Sequence, residues 1–131
     1  MVGRFQPFHN GHLNLAYQIL EDCEELIIAI GSAQFNYTFT NPFTAGERIY
    51  IIHESLVESK IDLKRVYIVP IMNLENNATW VQHLRSMLPK FNTYTLVTNS
   101  YWSFYRVVLN RLMFSLPNSM NKVTVMELTF A

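Results

Sequence analysis

The sequence predicts an α/β domain, a Rossmann-like parallel sheet flanked by helices, and three observations carry that prediction. Leu26-Ile27-Ile28-Ala29-Ile30 is a continuous apolar run of strand length, which reads as a strand buried on both faces. Apolar residues at helical spacing lie on either side of it: Leu13, Ala16, Tyr17 and Leu20 before, and Ile49, Ile52 and Leu56 after. Two more β-rich runs, Val66 to Val69 and Thr93 to Val97, alternate with these helical segments, the pattern of a parallel sheet covered by helices.

At 131 residues, half of them hydrophobic, the chain is expected to form one domain with a core of its own. Ten basic residues balance ten acidic ones, so charge gives no reason to expect nucleic acid or an anionic membrane as a partner. The single cysteine, Cys23, excludes an internal disulfide and fits a reducing compartment. No apolar run approaches the roughly 18 residues that suggest a membrane span, and no basic-then-apolar leader opens the chain. A cytoplasmic location is the expectation.

In chain order, the first helix is expected from about Gly11 to Glu21, with Asn10 as its N-cap. Glu21, Asp22, Glu24 and Glu25 oppose the negative end of the helix dipole and should stop it there. The strand Leu26 to Ile30 ends at Gly31-Ser32-Ala33-Gln34, and in open α/β sheets ligands collect at such carboxyl ends. A polar and aromatic loop runs from Phe35 to Pro42. Thr44-Ala45-Gly46-Glu47 matches a capping box and opens the second helix. A polar loop from Asn73 to Thr79 leads to a third helix marked by Trp80, Val81, Leu84 and Leu88 and stopped by Pro89. Beyond Asn99 the expectation is a helical segment from Val107 to Phe114 and a strand from Val123 to Phe130.

The chemistry concentrates in Gly3-Arg4-Phe5-Gln6-Pro7-Phe8-His9-Asn10-Gly11-His12. A helix start offers free backbone N–H groups and a positive dipole end, both of which attract phosphate. His9 and His12 are placed to stand beside that phosphate, with Arg4 at the other end of the stretch. Imidazole donors suit a reaction in which negative charge moves between phosphorus-bound oxygens. The alternative is a structural turn whose histidines only cap or pack.

This stretch resembles the His-x-Gly-His signature of the nucleotidyltransferase superfamily. Its full length is similar to the nicotinamide mononucleotide adenylyltransferase branch of archaeal type. Ile30-Gly31-Ser32-Ala33-Gln34 followed by Asn41-Pro42-Phe43-Thr44-Ala45-Gly46-Glu47-Arg48 looks like that family's second block, and Glu75-Asn76-Asn77-Ala78-Thr79-Trp80-Val81 like its third. The likeness runs from Val2 to about Asn99, so residues 1–99 are family-like and residues 100–131 an atypical tail.

The resemblance implies a nucleotidyltransferase fold and adenylyl transfer from ATP to nicotinamide mononucleotide, giving NAD and pyrophosphate. It also implies a divalent metal, usually Mg²⁺, bound with the substrate; no residue is assigned as a metal ligand. Relatives are often multimeric, so a homo-oligomer is expected. Carried over, His9, His12 and Arg4 are the catalytic residues. Gly3, Gln6, Phe8, Gly11 and Ser32 line the ATP phosphate site. Gln34, Asn77 and Trp80 receive nicotinamide mononucleotide. An indole face gains from a flat cationic ring, and an amide can pair with a carboxamide through donor and acceptor.

Each has a plainer alternative. Taken alone, Trp80 reads as a core aromatic rather than a ligand, and Asn77 or Thr79 as a helix cap. Glu47 is assigned to capping, Arg48 to a solvated surface or a phosphate, His53 to packing and His83 to solvent.

Both ends depart from the family. Relatives carry an apolar strand before the signature, whereas only Met1 and Val2 precede Gly3, so the first strand is expected to be missing, and either the true start to lie upstream or the chain to be a fragment. The family's late Gly-Thr-x-x-Arg element is absent after Asn99. In the frame that starts on each codon's third base, Met126-Glu127 forces glycine and Phe130-Ala131 permits only arginine or cysteine. A frameshift between about Asn99 and Asn121 is therefore expected, and the nucleotide sequence tests it. The competing functions are a nucleotidyltransferase with another acceptor (FMN, phosphopantetheine or glycerol phosphate), a nucleotide-binding remnant without turnover, and a scaffold.

Overall fold

A computed structural model describes residues 1–74, 79–91, 93–97, 104–108 and 123–124. In chain order the elements are β1 (Val2–Gly3), α1 (Asn10–Asp22), β2 (Leu26–Ile30), α2 (Ala45–Glu58), a 3₁₀ turn (Leu63–Arg65), β3 (Val66–Pro70), α3 (Trp80–Met87), β4 (Thr93–Val97), β5 (Phe104–Val108) and β6 (Val123–Thr124).

All five side chains of β2 are buried, as a continuous apolar run requires. Its alternation divides the core into two. Leu26, Ile28 and Ile30 pack with Leu15, Ile19, Ile52 and Leu56 of α1 and α2, while Ile27 and Ala29 pack with Val2, Ile71, Leu84 and Leu88 on the side of α3. The helices therefore cover both faces, and the loops at the carboxyl ends of β1 and β2 open onto one edge.

β3 runs parallel to β2 over its whole length, from Leu26 opposite Val66 to Ile30 opposite Pro70. That leaves the other edge of β2 for two short strands placed end to end. β1 pairs with Ala29 and Ile30, and β6 pairs with Leu26 and Ile27, all in parallel. β4 pairs with β6 in parallel, and β5 closes the sheet antiparallel to β4. The first strand is thus present as two residues rather than missing. Val107 and Val108, expected in a helix, belong to strand β5; their run Phe-Tyr-Arg-Val-Val favours a pleated strand by β-branching and aromaticity. Residues 109–122 and 125–131, which carry the rest of the expected helix and strand and most of the frameshift argument, lie outside the described residues.

The helices begin much as expected. Thr44 caps α2 and forms the capping box: its hydroxyl accepts from the Glu47 N–H at 3.1 Å, and the Glu47 carboxylate accepts from the Thr44 N–H at 2.8 Å. The end of α1 is closed by Arg65, whose guanidinium donates to the carbonyls of Leu20 at 2.7 Å, Cys23 at 2.6 Å and Glu24 at 2.8 Å. A cation at the negative helix end satisfies its last carbonyls and offsets the dipole. His53 is exposed and pairs with Glu54 at 3.0 Å, so it does not pack as expected; the buried stripe of α2 runs through Ile52 and Leu56 instead.

Candidate active site at the carboxyl edge of the sheet

The N-cap of α1 is His9, not Asn10, which is the first helical residue. Imidazole takes the place of the usual Ser, Thr, Asp or Asn because His9 has extended backbone angles and its Nδ1 accepts from the Gly11 N–H at 3.1 Å. His12 answers from the third helical position, its Nδ1 accepting from the His9 N–H at 3.3 Å. The two rings stack with centroids 3.8 Å apart.

This arrangement fixes the chemistry of both rings. A backbone N–H can donate only to an unprotonated ring nitrogen, so each neutral imidazole carries its proton on Nε2. The Nδ1 side of each histidine is structural, and the Nε2 side is left as a hydrogen-bond donor. Burial, and secondarily the neighbouring His9, push the pKa of His12 down to about 4, so it is a neutral donor at physiological pH. Phe8 stacks on His12 at 5.4 Å and Phe5 meets it edge-on at 4.9 Å, which fixes the ring from two sides.

Gly11 lies tightly under the same geometry. A Cβ there would stand 3.0 Å from His9 Cε1 and 3.1 Å from His9 Nδ1. The glycine of the signature therefore makes room for the histidine ring that caps it.

The turn after β1 and the turn after β2 each place a non-glycine residue in the left-handed region, Phe5 at φ 49° and Ser32 at φ 50°. Such residues cost about 1–3 kcal/mol each and persist only where surroundings hold them. The holder is Arg48, assigned from sequence to a surface or a phosphate and here fully buried in the first turn of α2. Its Nη1 donates to the carbonyls of Arg4 and Gly31, both at 2.9 Å, and its Nη2 to those of Ser32 at 3.1 Å and Phe35 at 3.5 Å. Its Nε donates to Thr44 O at 3.2 Å. Burial, and then the charge of Arg4, lower its pKa from the ordinary arginine value.

The remaining candidates fall into two groups. Gly3 ends β1, with its carbonyl accepting from Gly31 N–H at 2.8 Å, and Arg4 is half-buried beside it; together with Ser32 they meet at one edge. The Gln6 amide is occupied on both sides by Phe43, donating to its carbonyl at 3.1 Å and accepting from its N–H at 2.9 Å. Gln34 clamps Asn73 in the same way, at 3.3 Å and 3.0 Å. Both glutamines thus join loops that border the site.

Trp80 is half-buried at the start of α3, packed against the core on the face opposite α1 and α2. His83, expected in solvent, is half-buried with its ring 5.6 Å from Trp80, and its Nε2 bonds the Met72 carbonyl at 3.1 Å. Asn77 lies outside the described residues. Among the described residues no three His, Cys, Asp or Glu side chains converge to hold a metal, and no helix is long and apolar enough to cross a membrane.

Known proteins share the sequence pattern and the fold. The family model described as cytidylyltransferase-like matches residues 1–111. The nicotinamide-nucleotide adenylyltransferase of Caldivirga maquilingensis is 53% identical over 90 residues, covering 69% of this chain and 51% of that protein. The enzyme of the same name from Halobacterium salinarum is 52% identical over 90 residues, covering 69% and 49%. This chain therefore spans about half the length of the curated relatives it matches. Among solved structures, the bifunctional NMN adenylyltransferase/ADP ribose pyrophosphatase of Francisella tularensis, complexed with AMP and a manganese ion, superposes with a TM-score of 0.63 and 36% identity, over 66% of this chain and 26% of that one. A second structure of that enzyme gives a TM-score of 0.65 at 32% identity, over 75% and 30%. Sequence signature and parallel sheet coincide with these relatives: the chain belongs to the cytidylyltransferase-like family, in the archaeal-type branch of its His-x-Gly-His nucleotidyltransferases.

Proposed function

We propose that the protein transfers the adenylyl group of ATP to nicotinamide mononucleotide, releasing pyrophosphate and forming NAD. The observation that carries this reading is the paired histidine cap of α1, which points two Nε2–H donors away from their structural Nδ1 contacts beside a helix N-terminus. The 5′-phosphate of the acceptor attacks the α-phosphorus, the bond to the bridging oxygen breaks, and pyrophosphate leaves. His9, His12 and Arg4 hold the phosphates and stabilise the charge that moves onto the leaving group. The bordering loops position the two substrates, and no protein nucleophile takes part.

Mg²⁺ enters with ATP as part of the substrate. The donor set favours this, since imidazole and guanidinium N–H groups suit phosphate oxygens rather than a cation. Trp80 and Asn77 receive the nicotinamide, with Gln34 holding the Asn73 end of the loop that joins Ile71 to Trp80. We place the activity in one domain, in a cytoplasmic homo-oligomer. The test is the purified chain with ATP, Mg²⁺ and nicotinamide mononucleotide, following NAD and pyrophosphate, with FMN and phosphopantetheine as acceptor controls. NAD that disappears in His12→Ala is the expected result. Product with a control acceptor alone reassigns the substrate, and ATP binding without any product leaves a nucleotide-binding remnant.

A further inference from the structure

We propose that Arg48 is the positioning residue of the phosphate site, holding the turns after β1 and β2 in the one arrangement that presents Arg4, His9 and His12 together. The inference rests on the adenylyl-transfer reading for its ligand and on the geometry alone for its mechanism.

The bonds of Arg48 are not those of a general brace. All five of its guanidinium N–H groups have carbonyl acceptors, and four of those carbonyls lie in the two turns and the loop that follows: Arg4, Gly31, Ser32 and Phe35. None lies in the body of the sheet. Two of the acceptors flank strained residues, Arg4 next to Phe5 and Ser32 itself. The turns come from strands that are neighbours in the sheet, so one rigid fork can span both. A helix that needed only burial at this position would carry an aliphatic residue, as it does at Ile52 and Leu56.

The charge is also distinctive. Among the described residues no carboxylate pairs with Arg48, and the adjacent Glu47 carboxylate is engaged by the Thr44 N–H. Among the described residues the cation is therefore surrounded by carbonyl dipoles alone, that of Arg4 among them. An incoming polyphosphate supplies the missing negative charge. Arg48 does not touch the ligand in this scheme; it acts through the backbone it holds and through its field.

Arg48→Lys separates fork from charge, since lysine keeps the charge and cannot bridge the two turns. Two measurements are made on the full chain: amide hydrogen exchange without ligand, and ATP affinity by titration. Faster exchange confined to Gly3–His12 and Gly31–Phe35, with ATP bound roughly tenfold or more weakly, is expected because small displacements at such sites are costly. A lower melting temperature with unchanged ATP affinity overturns the proposal, since a purely structural brace would give that result. So does exchange that rises evenly over the whole sheet. Should Arg48→Lys not fold, Arg48→Ala with guanidinium ion is the second arm. Its ATP affinity is expected to rise with guanidinium concentration, and independence from it overturns the proposal. If the unaltered chain binds no ATP, the adenylyl-transfer reading fails, while the exchange pattern still decides whether Arg48 holds the two turns.

Discussion

α1 and α2 start with the same four-residue device and use it for different ends. His9-Asn10-Gly11-His12 and Thr44-Ala45-Gly46-Glu47 each place a cap, a glycine at the second helical position, and a side chain at the third that reaches back to the cap N–H. In α2 the hydroxyl and carboxylate are consumed by the box, and what remains is a helix start. In α1 each imidazole gives one nitrogen to the box and keeps another. The same backbone geometry thus yields a fastening in one helix and a pair of oriented donors in the other. Bifunctionality of the ring, rather than any special fold, turns a helix cap into a candidate phosphate site.

The sharpest way to break this comparison is to remove one side chain from each box, the third residue of the first and the cap of the second. His12→Ala removes the donor proposed for the transferring phosphate, and NAD formation should fall about 10²–10³-fold, the usual cost of one preorganised donor. Thr44→Ala removes only a cap and should cost about 1 kcal/mol of stability with turnover retained by the folded protein. Urea denaturation and initial rates on both variants check this. Equal losses of rate would make the two boxes equivalent and remove the chemical role of the first.

Gly11→Ala comes next. The added methyl would sit 3.0 Å from the His9 ring, so the ring must give by a few tenths of an ångström and its bond to the residue 11 N–H is strained. The ring is displaced from its orientation, and ATP affinity should drop roughly tenfold, consistent with the cost of misplacing one contact. Titration with ATP measures it. Isotropic loss of both folding and binding would instead locate the glycine's role in the backbone.

These contrasts also show what a sequence can and cannot announce. The α2 box was legible because Thr-x-x-Glu is a common cap pattern, β2 because an apolar strand-length run has few other uses, and β4 because its β-branched and aromatic residues favour a strand. His9 and His12 stood out as candidates from their spacing and surroundings. Their capping role was not, because imidazole is a rare cap and Asn10, a common one, stands next to it. Arg48 was misread for a different reason. Its acceptors are carbonyls from three separate segments, and main-chain carbonyls have no letter in the sequence. A basic residue beside the apolar stripe of α2 looks solvated until the turns that fold over it are known. The glutamines fall between: Gln6 and Gln34 were placed at the site from resemblance, and the structure adds that both amides are occupied by backbone.

The two boxes should also differ in their response to acid. His12 is held at about 4 in the folded chain, first by burial and then by His9, against an ordinary value of about 6.5 when unfolded. Between those values the unfolded state binds a proton that the folded state refuses, so stability must fall as pH drops from about 6.5 towards 4. His12→Ala removes that proton linkage. Denaturation midpoints at several pH values should show a shallower acid slope in the variant than in the parent protein, and parallel slopes would place the linkage elsewhere.

The smallest effect is the most discriminating, because it changes sign between the two helices. Gly46 occupies the position in α2 that Gly11 occupies in α1, yet a Cβ there meets only Thr44 Oγ1, at the ordinary contact distance of 3.9 Å. Its φ lies in the region open to any residue. Gly46→Ala therefore removes backbone freedom from the unfolded chain without a clash, and should stabilise the protein by about 0.4–1 kcal/mol. The identical substitution at Gly11 should destabilise or displace. Opposite signs from one chemical change, at one helical position, in two boxes of the same geometry, can come only from what stands over the glycine: an ordinary contact with the Thr44 hydroxyl in α2, and the His9 ring in α1.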